Sequence, residues 1–447
     1  MSGRRFIPVR PLIRLGIVLV IGWWLFRDTH ARHFPASTDS EIIRFAHFGG
    51  AEDFALWRSI VDSFEQTHPG AHVKQEYIVG FAGRYNTKLR QQIVSHTLPD
   101  VALVQLGPFH ELADNFADVG RIVTPNVRES LDAVGLVAFQ HGGKQLGLPI
   151  SGGNLLIYCN PECFEKAGNH IGREVSLPAD DWTISDFHRI ATELTCDFDG
   201  DGAIDQFGYW QTRWVYYLPF LWSFGADITD ETSSRWMLMG PEAQQAMSFY
   251  RELVTGDRVC PREDEVPQLF QDVGFLTGKV GMCINGPWFQ PFLAKTRLAD
   301  SYVVAHIPIG PAGRVTRITW DAVVMRDDLP PLRRRAALAF IEFLISAPVQ
   351  DRIAQTGRAL PARTESVTRF IGDANDPRRR RFVEALSYSR TQPMLPAFGV
   401  IDRTINRHLQ DLLDPDRPCD VQSFLIELAS DPVIGEHFTD QTRGADQ

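Results

Sequence analysis

The stretch GLPISGGNLLIYCNPECFEKAG, residues 147–168, most constrains how this chain can fold, because it has the pattern of a connection between two folded units. Gly152 and Gly153 allow backbone angles that other residues resist, and residues 155–158 form an apolar run of strand length. The Asn-Pro pair at 160–161 is a helix-start signal, with Asn as the cap and Pro at the first helical position. The start of the stretch predicts a closing turn, and Gly168 is expected to end the helix. The pattern therefore predicts a hinge at which the chain leaves one α/β unit and enters another.

The chain also has more residues than one hydrophobic core usually holds. It is 447 residues long, whereas single cores stop growing at about 250–300 residues. Before the hinge, short apolar strand patterns at residues 42–48, 73–79 and 101–104 alternate with amphipathic helix patterns. Strands that alternate with helices predict a mixed, mostly parallel sheet flanked by helices. We therefore predict an α/β protein of two hinged lobes.

The ends of the predicted strands supply the first candidates for a binding site. In open α/β sheets, ligands bind beyond the carboxyl ends of the strands. His47 and Phe48 end the first predicted strand, and Gln105 and Phe109 follow the third. These residues are candidates for ligand contact, with the alternative that His47 is a strand-end residue that merely faces water.

The charge balance narrows the class of ligand. The net charge is −10, which argues against nucleic acid as a partner and disfavours an anionic ligand. A neutral ligand fits this balance better.

The first 38 residues differ from the rest of the chain. Four arginines precede twelve residues, 15–26, that carry no charge, and this is typical of a signal peptide or a short membrane anchor. Twelve residues are fewer than the roughly 20 of a comfortable membrane span. We expect a periplasmic or extracytoplasmic protein. The N-terminal segment is either cleaved off as a signal peptide, or residues 15–26 anchor the protein to the inner membrane. No lipid-modified cysteine lies beside this segment, because the first cysteine is Cys159.

Six cysteines, which an exported protein could oxidise, occur in the chain. They are compatible with up to three disulfides, and Cys159 and Cys163 are close enough in sequence for a local bridge. A pair of buried free thiols is the equal alternative.

An acidic loop, CDFDGDGAIDQFG, has the spacing of a calcium-binding loop. Position 12 is Gly208 and not the usual bidentate glutamate, which argues against a calcium sensor. Four carboxylates so close together repel one another without a cation, so we predict a structural Ca²⁺ and no other cofactor. The alternative is a solvated acidic turn. The predicted ligands at positions 1, 3, 5, 7 and 9 are Asp197, Asp199, Asp201, the carbonyl of Ala203, and Asp205.

Residues 210–224, WQTRWVYYLPFLWSF, form the densest aromatic segment of the chain. Most of these rings are expected in a core. Flat aromatic rings also pack against the apolar faces of sugars, so Trp214 and Trp222 are candidates for sugar contact, with burial in the core as the alternative.

Six segments, in this order, resemble the extracellular solute-binding proteins of carbohydrate ABC transporters, the group that includes maltose- and glycerol-phosphate-binding proteins. They are FEQTHPG, YNTKLRQQIVSHTLPDVALVQ, GLPISGGNLLIYCNPECFEKAG, LPFLWSFGADI, FLTGKVGMCINGPW and FIEFLISAPVQDRIAQTGRALPAR.

The resemblance implies the type II periplasmic-binding fold, in which each lobe is built from separate segments and the ligand lies between the lobes. It places residues 39–149 and 318–363 in lobe 1, and residues 150–317 and 364–447 in lobe 2.

The resemblance also implies which residues line the cleft. The loop ISGGN lacks an acidic residue that is often found there in the family, so the resemblance does not determine which sugar is bound. The implied residues are His47, Phe48, Glu52, Tyr85, Gln105, Phe109, Ser151, Asn154, Trp214, Trp222, Gly286, Trp288, Trp320, Asp321 and Arg363.

The function that follows is capture of a sugar or oligosaccharide and its delivery to an ABC permease, by a monomer that is not an enzyme. One alternative is a membrane-tethered sugar sensor. Another is a glycoside hydrolase, which needs two carboxylates across a cleft. Glu52 and Asp321 could supply them, but nothing in the sequence around either residue marks it as an acid or a base.

Overall fold

The computed structural model describes residues 42–438, apart from residues 81, 212–213, 263–270, 373–374 and 415–418. The predicted signal or anchor segment, residues 1–38, lies outside the described residues. Among the described helices, none combines the length and the apolar character of a membrane span.

The first three strands of the described chain agree with the predicted strand patterns, and the hinge stretch also contains strands. They are β1 (Ile42–Gly49), β2 (His72–Val79), β3 (Val101–Gln105), β4 (Gln140–His141), β5 (Lys144–Gln145), β6 (Gly147–Asn154), β7 (Leu156–Cys159), β8 (Phe207–Trp210), β9 (Val280–Asn285), β10 (Val303–Ala305), β11 (Thr316–Met325), β12 (Leu360–Pro361) and β13 (Ser389–Arg390).

Helices flank these strands throughout. They are α1 (Ala51–Thr67), α2 (Ala82–Val94), α3 (Leu106–Leu112), α4 (Pro125–Ser130), α5 (Ala133–Ala138), α6 (Pro161–Ile171), α7 (Ile184–Leu194), α8 (Leu218–Ser223), α9 (Gly240–Arg251), α10 (Gln271–Thr277), α11 (Gln290–Leu293), α12 (Pro331–Leu344), α13 (Ala347–Gln355), α14 (Val367–Ile371), α15 (Pro377–Glu384), α16 (Phe398–Leu412), α17 (Val421–Ala429) and α18 (Pro432–His437). Short 3-10 turns include Trp214–Tyr216 and Pro287–Phe289.

Two mixed sheets organise the molecule. A seven-stranded sheet has the order β12-β6-β11-β3-β1-β2, with β13 beside β11. In it β1 is parallel to β2 and β3, while β11 runs antiparallel to both β3 and β6. A four-stranded sheet has the order β10-β7-β9-β8, in which β8 and β9 are parallel. In each sheet, the strand that follows the passage of the chain from the other sheet, β7 or β11, runs antiparallel to both of its neighbours in this strand order.

Each sheet has its own hydrophobic core. The first core is built from residues 43–150 and 318–353 together with Ala362, and the second from residues 155–307 together with residues between 354 and 438. We call the seven-stranded sheet with the first core the first unit, and the four-stranded sheet with the second core the second unit. The chain passes from the first core to the second between residues 150 and 155, and it returns to the first core between residues 307 and 318. The lobe boundaries given above stay predictions.

The hinge stretch is built differently from the sequence prediction. Residues 147–154 are not a closing turn but the fully buried strand β6. The register between β6 and β11 shifts between Asp321 and Ala322, which pair with Ser151 and Pro149. The irregularity accommodates Pro149, because proline has no N–H to donate to a regular ladder of hydrogen bonds.

The two glycines of the hinge serve close packing rather than unusual backbone angles, because neither has a positive φ. A Cβ atom on Gly152 would lie 2.5 Å from the Trp320 ring, and one on Gly153 would lie 2.7 Å from Pro287. The sequence therefore pointed to the right glycines, but the predicted reason, unusual backbone angles, was wrong.

Helix α6 starts as predicted, with the Asn160 side chain accepting from the N–H of Glu162. It does not end at Gly168 but continues to Ile171 and is capped by Gly172 at φ 74°. This left-handed conformation is the one that favours glycine.

All six cysteines are free thiols, so the disulfides that the sequence allowed are not formed. Cys163 points its Sγ toward the carbonyls of Gly278 and Val280, at 3.6 and 3.8 Å, and not toward Cys159. Burial raises the pKa of Cys163 to about 12. A thiol with so high a pKa is a poor nucleophile.

Candidate functional site

Three polar side chains form a row across the seven-stranded sheet at the edge where β3 ends. In the strand register, Asp321 of β11 lies beside Gln105 of β3 on one side and beside Ser151 of β6 on the other. Gln105 and Asp321 are half-buried, and Ser151 is buried. Since residues side by side on neighbouring strands place their side chains on the same face, these groups meet. We call Gln105, Asp321 and Ser151 the polar row.

The carboxyl group of Asp321 is the centre of the polar row. It accepts side-chain hydrogen bonds from Gln105 and Ser151. Burial raises its pKa from 3.8 to about 7, although both hydrogen bonds act in the opposite direction. The edge of the sheet thus offers a carboxyl group that changes charge near neutral pH.

Asn86 of α2 extends the polar row, and the sequence reasoning missed it. Its Nδ2 lies 3.4 Å from Gln105 Oε1, within donating distance, while its buried Oδ1 has no hydrogen-bond partner among the described residues. The preceding residue holds the helix in place, because the Tyr85 hydroxyl donates to the carbonyls of Ala46 and Leu103 at 3.1 and 2.7 Å. The only signal in the sequence was the amide beside Tyr85, a residue that the resemblance assigned to the cleft.

Trp288 contributes to the junction between the two units. It belongs to the 3-10 turn after β9, is half-buried, and packs against the second core. A Cβ atom on Gly286 would lie 2.3 Å from its ring, and one on Gly153 of β6 would lie 2.9 Å from it. Tyr158 fixes the same turn by donating to the Gly286 carbonyl at 2.8 Å. Both predicted residues, Gly286 and Trp288, therefore lie where the units meet.

Charged residues near the end of β1 are paired. Glu52 of the first unit contacts Lys295 of the second unit at 2.5 Å, with both side chains exposed. Asp53 pairs with Arg358. Phe48 is half-buried, with its ring centroid 4.9 Å from that of Tyr85. The Glu52 pair connects the two units directly.

Six residues that the sequence assigned to the cleft are instead buried, with at most 2% of their surface exposed. The position of a residue along a strand or helix does not tell which face of the element is covered, and this is why these assignments differ from the structure. They are His47, Tyr85, Phe109, Asn154, Trp222 and Trp320.

His47 and Phe109 belong to the first core. The Nε2 of His47 lies 3.0 Å from Gln75 Oε1, and burial lowers the pKa of His47 to about 4. The alternative that His47 faces water is also wrong. Phe109 packs against Phe116 and Phe139, at ring distances of 6.0 and 4.9 Å.

Trp222 and Trp320 are enclosed by protein groups. The Arg390 guanidinium lies 4.5 Å from the Trp222 ring, and the indole N–H donates to Asp227 at 3.0 Å. Trp320 lies over Gly152, where the missing Cβ leaves room for its ring.

Asn154 and Arg363 are bound by the chain itself. Asn154 donates to the Phe382 carbonyl at 2.9 Å and to Ser389 Oγ at 3.2 Å, which ties β6 to the segment before β13. Arg363 contacts Glu365 at 2.9 Å and the Ile345 carbonyl at 3.2 Å. The side chain of Trp214 lies outside what the structure describes.

The acidic loop forms an exposed cluster that could hold a metal ion. Oxygens of Asp197, Asp199 and Asp205 lie within 4.8 Å of one another. Asp201 lies outside this group, and its carboxylate accepts the N–H of Ala203 at 2.8 Å. The carboxylates of the three grouped residues also accept backbone N–H groups of the loop. Lys279 lies 3.6 Å from Asp205 and offsets part of the negative charge.

A groove of about 800 Å³ lies elsewhere on the second unit, between α7 and α9. None of the predicted site residues lines it. Its lining residues are Ile184, Ser185, His188, Phe224, Pro241, Gln244, Gln245, Ser248, Phe249 and Glu252.

Comparison with known sequences gives a family for most of the chain. Residues 49–351, more than half of the chain, match the family described as bacterial extracellular solute-binding protein. A binding protein of Brucella abortus is 26% identical over 285 residues, which is 60% of this chain and 63% of that protein. The chain thus spans less than two thirds of the length of this relative.

Solved structures share the fold over nearly the whole chain. An ABC substrate-binding protein from Listeria monocytogenes in complex with cycloalternan is 20% identical, with a TM-score of 0.76, over 88% of this chain and 98% of that one. UgpB from Mycobacterium tuberculosis in complex with glycerophosphocholine is 20% identical, with a TM-score of 0.71, over 86% and 96%. The two sheets with flanking helices are the periplasmic-binding-protein fold.

Proposed function

We propose that this chain, which belongs to the bacterial extracellular solute-binding proteins, is the substrate-binding component of an ABC importer. It captures a sugar or oligosaccharide between its two units and delivers it to a membrane permease. As a member of a binding-protein family it is a transport component and not an enzyme.

The observation that carries this proposal is the polar row at the edge of the first sheet. Gln105, Asp321 and Ser151 offer hydrogen-bonding groups side by side, and Gln105 is the last residue of β3, at the carboxyl end of a strand where ligands of α/β sheets bind. A ligand with several hydroxyl groups can donate to these groups and accept from others. The half-buried ring of Trp288 adds an apolar surface of the kind on which sugar rings pack.

The charges nearby favour a neutral ligand over an anionic one. Lys295 and Arg358 are engaged with Glu52 and Asp53, and the polar row itself contains a carboxyl group. The Listeria protein was solved with a cyclic saccharide, and the Mycobacterium protein with a phosphodiester. The polar row agrees better with the first class of ligand.

Closure supplies the mechanism. A ligand that contacts both units gains interactions in the closed arrangement that it lacks in the open one, so it shifts the population toward closure. The change of core at residues 150–155 and 307–318 provides the crossing strands about which such a motion takes place. The permease then recognises the closed form of a monomer.

A thermal-shift screen of the full chain tests the proposed function. Maltose, maltotriose, trehalose and a cyclic oligosaccharide are each added at millimolar concentration, with glycerophosphocholine as the phosphodiester comparison. Binding stabilises the native state by mass action, so a micromolar ligand should add about 4 kcal/mol. If the phosphodiester alone raises the melting temperature, the sugar proposal is wrong.

A variant of Trp288 locates the binding surface. We expect Trp288→Ala to abolish the shift while changing the unliganded melting temperature little, because the ring is half-buried. The matched control is Phe292→Ala, which removes an exposed aromatic ring from the adjacent helix α11. A large fall in the unliganded melting temperature of Trp288→Ala would assign the ring to the core.

We also propose that the acidic loop binds a structural Ca²⁺ through Asp197, Asp199 and Asp205, with the Ala203 carbonyl as a further ligand. The support is the distance between the three carboxylates, since calcium prefers several oxygen ligands. Calcium should raise the melting temperature of the wild type and leave that of Asp199→Asn unchanged, whereas magnesium at the same concentration should have little effect. Equal stabilisation of both proteins would reject the site.

The family places the protein outside the cytoplasm. We propose in addition that residues 15–26 either anchor it to the inner membrane or are removed. N-terminal sequencing of the membrane and soluble fractions distinguishes the two.

A further inference from the structure

The hydrogen bonds of the polar row have a direction. An ionised carboxylate accepts hydrogen bonds and has none to donate. Asp321 therefore receives the hydroxyl proton of Ser151 and an Nε2 proton of Gln105. With its amide nitrogen turned toward Asp321, Gln105 presents its carbonyl oxygen to α2. The charge of Asp321 thus fixes which way the Gln105 amide points.

Asn86 is the next member of the same chain of hydrogen bonds. Its Nδ2 faces Gln105 Oε1, so its Oδ1 is directed away from Gln105. This oxygen is buried and accepts no hydrogen bond. Buried polar atoms in native proteins nearly always have a partner, and an acceptor without one beside a binding site is satisfied when a ligand brings a donor.

The free groups of this chain include both acceptors and donors. The hydroxyl proton of Ser151 and one N–H each of Gln105 and Asn86 are used internally. The Asn86 oxygen and the remaining lone pairs of Asp321 are left as acceptors, and the second N–H of each amide is left as a donor. A phosphate or carboxylate group cannot donate to the Asn86 oxygen, and leaving this buried acceptor unpaired costs affinity. A hydroxyl group can donate to it.

We propose that Asn86 is a specificity-determining residue, and that the polar row selects ligands that donate hydrogen bonds and rejects those that present only acceptors. The ligand class is a neutral compound with at least two adjacent hydroxyl groups. This inference rests on the proposed function, because it assigns the chemistry of the same site.

Calorimetric titration of the full chain tests the role of Asn86. The probes are the saccharide that gives the largest thermal shift in the screen above, and dimethyl phosphate, a phosphodiester that presents only acceptors. Asn86→Leu has a similar size and removes both polar atoms, so we expect its affinity for the saccharide to fall at least tenfold. The control is Thr87→Ala on the same helix, where the hydroxyl is exposed and contacts only the Gly83 carbonyl; its affinity should be unchanged.

Two results of this titration overturn the inference. One is an unchanged saccharide affinity in Asn86→Leu, which would leave the proposed function intact. The other is binding of dimethyl phosphate by the wild type as tightly as the saccharide, which would contradict the selection of donors.

The direction of the hydrogen bonds can also be tested in the ligand-free protein, so this test does not depend on finding a saccharide that binds. The side-chain amide protons of Gln105, assigned by their absence in Gln105→Leu, should shift in NMR spectra with a midpoint near pH 7 as Asp321 ionises. The shift should vanish in Asp321→Asn. This outcome would support the inference even if the proposed function fails. Amide signals that do not change between pH 5 and pH 9 would overturn it.

Discussion

At the scale of single residues, the buried carboxyl group of Asp321 makes the stability of the protein depend on pH. Its pKa is raised by burial to about 7, so the native state holds this proton more tightly than the unfolded chain. Stability therefore falls as the pH rises from about 4 to 7, and stays lower above that. Between pH 5 and pH 8 we expect a loss of about 2–3 kcal/mol, since one pKa unit corresponds to about 1.4 kcal/mol.

The variant Asp321→Asn removes this pH dependence. The difference in unfolding free energy between variant and wild type, measured with urea, should grow in favour of the variant by about 2–3 kcal/mol from pH 5 to pH 8. An offset that is the same at both pH values would contradict the raised pKa.

Single residues were also where sequence reasoning was least reliable. Trp320 and Asp321 are neighbours on β11, yet one side chain is enclosed in the core and the other belongs to the polar row. Alternation along a strand explains this, but the sequence does not say which of the two faces is covered. Asn86 was missed for a related reason, because an unpaired amide oxygen is a property of tertiary contacts and not of the sequence.

At the scale of elements, the crossing strand β6 is sensitive to any added volume. A Cβ atom on Gly153 would overlap Pro287 and the Trp288 ring, which belong to the other unit. We expect Gly153→Ala to cost about 1–3 kcal/mol, as overpacking does, and to weaken ligand binding. Gly83→Ala is the matched control, because its new methyl group meets nothing within 4 Å. A Gly153→Ala protein with wild-type melting temperature would show that the junction is loose.

Elements whose signal is local could be predicted well. The strands β1, β2 and β3 and the cap of α6, where Asn160 accepts from the N–H of Glu162, were predicted and are confirmed. The two hinge glycines were singled out correctly but for the wrong reason, since their role depends on rings that come from distant segments.

At the scale of the whole molecule, the Glu52–Lys295 pair links the two units. Both side chains are 63% exposed, and exposed pairs contribute at most about 1 kcal/mol. Lys295→Glu should therefore weaken ligand affinity by about threefold to fivefold at low salt, with the effect shrinking in 0.5 M NaCl because salt screens exposed charges. The double variant Glu52→Lys with Lys295→Glu should restore the affinity. If the double variant is no better than the single one, the pair does not act across the units.

The overall architecture could be predicted because several matched segments occur in one order along the chain, and this order specifies how separate segments build each unit. The identity of the ligand could not be predicted in the same way. It depends on a few hydrogen-bonding atoms whose directions are set by contacts among β3, β6, β11 and α2.

The central claim is that a hydroxyl-rich ligand draws the two units together. It is tested most directly by small-angle X-ray scattering of the full chain, with and without a saturating saccharide from the screen. The radius of gyration should fall when the saccharide is added, and the fall should be absent in Trp288→Ala. A radius that stays constant while calorimetry shows the wild-type site to be full would contradict the claim.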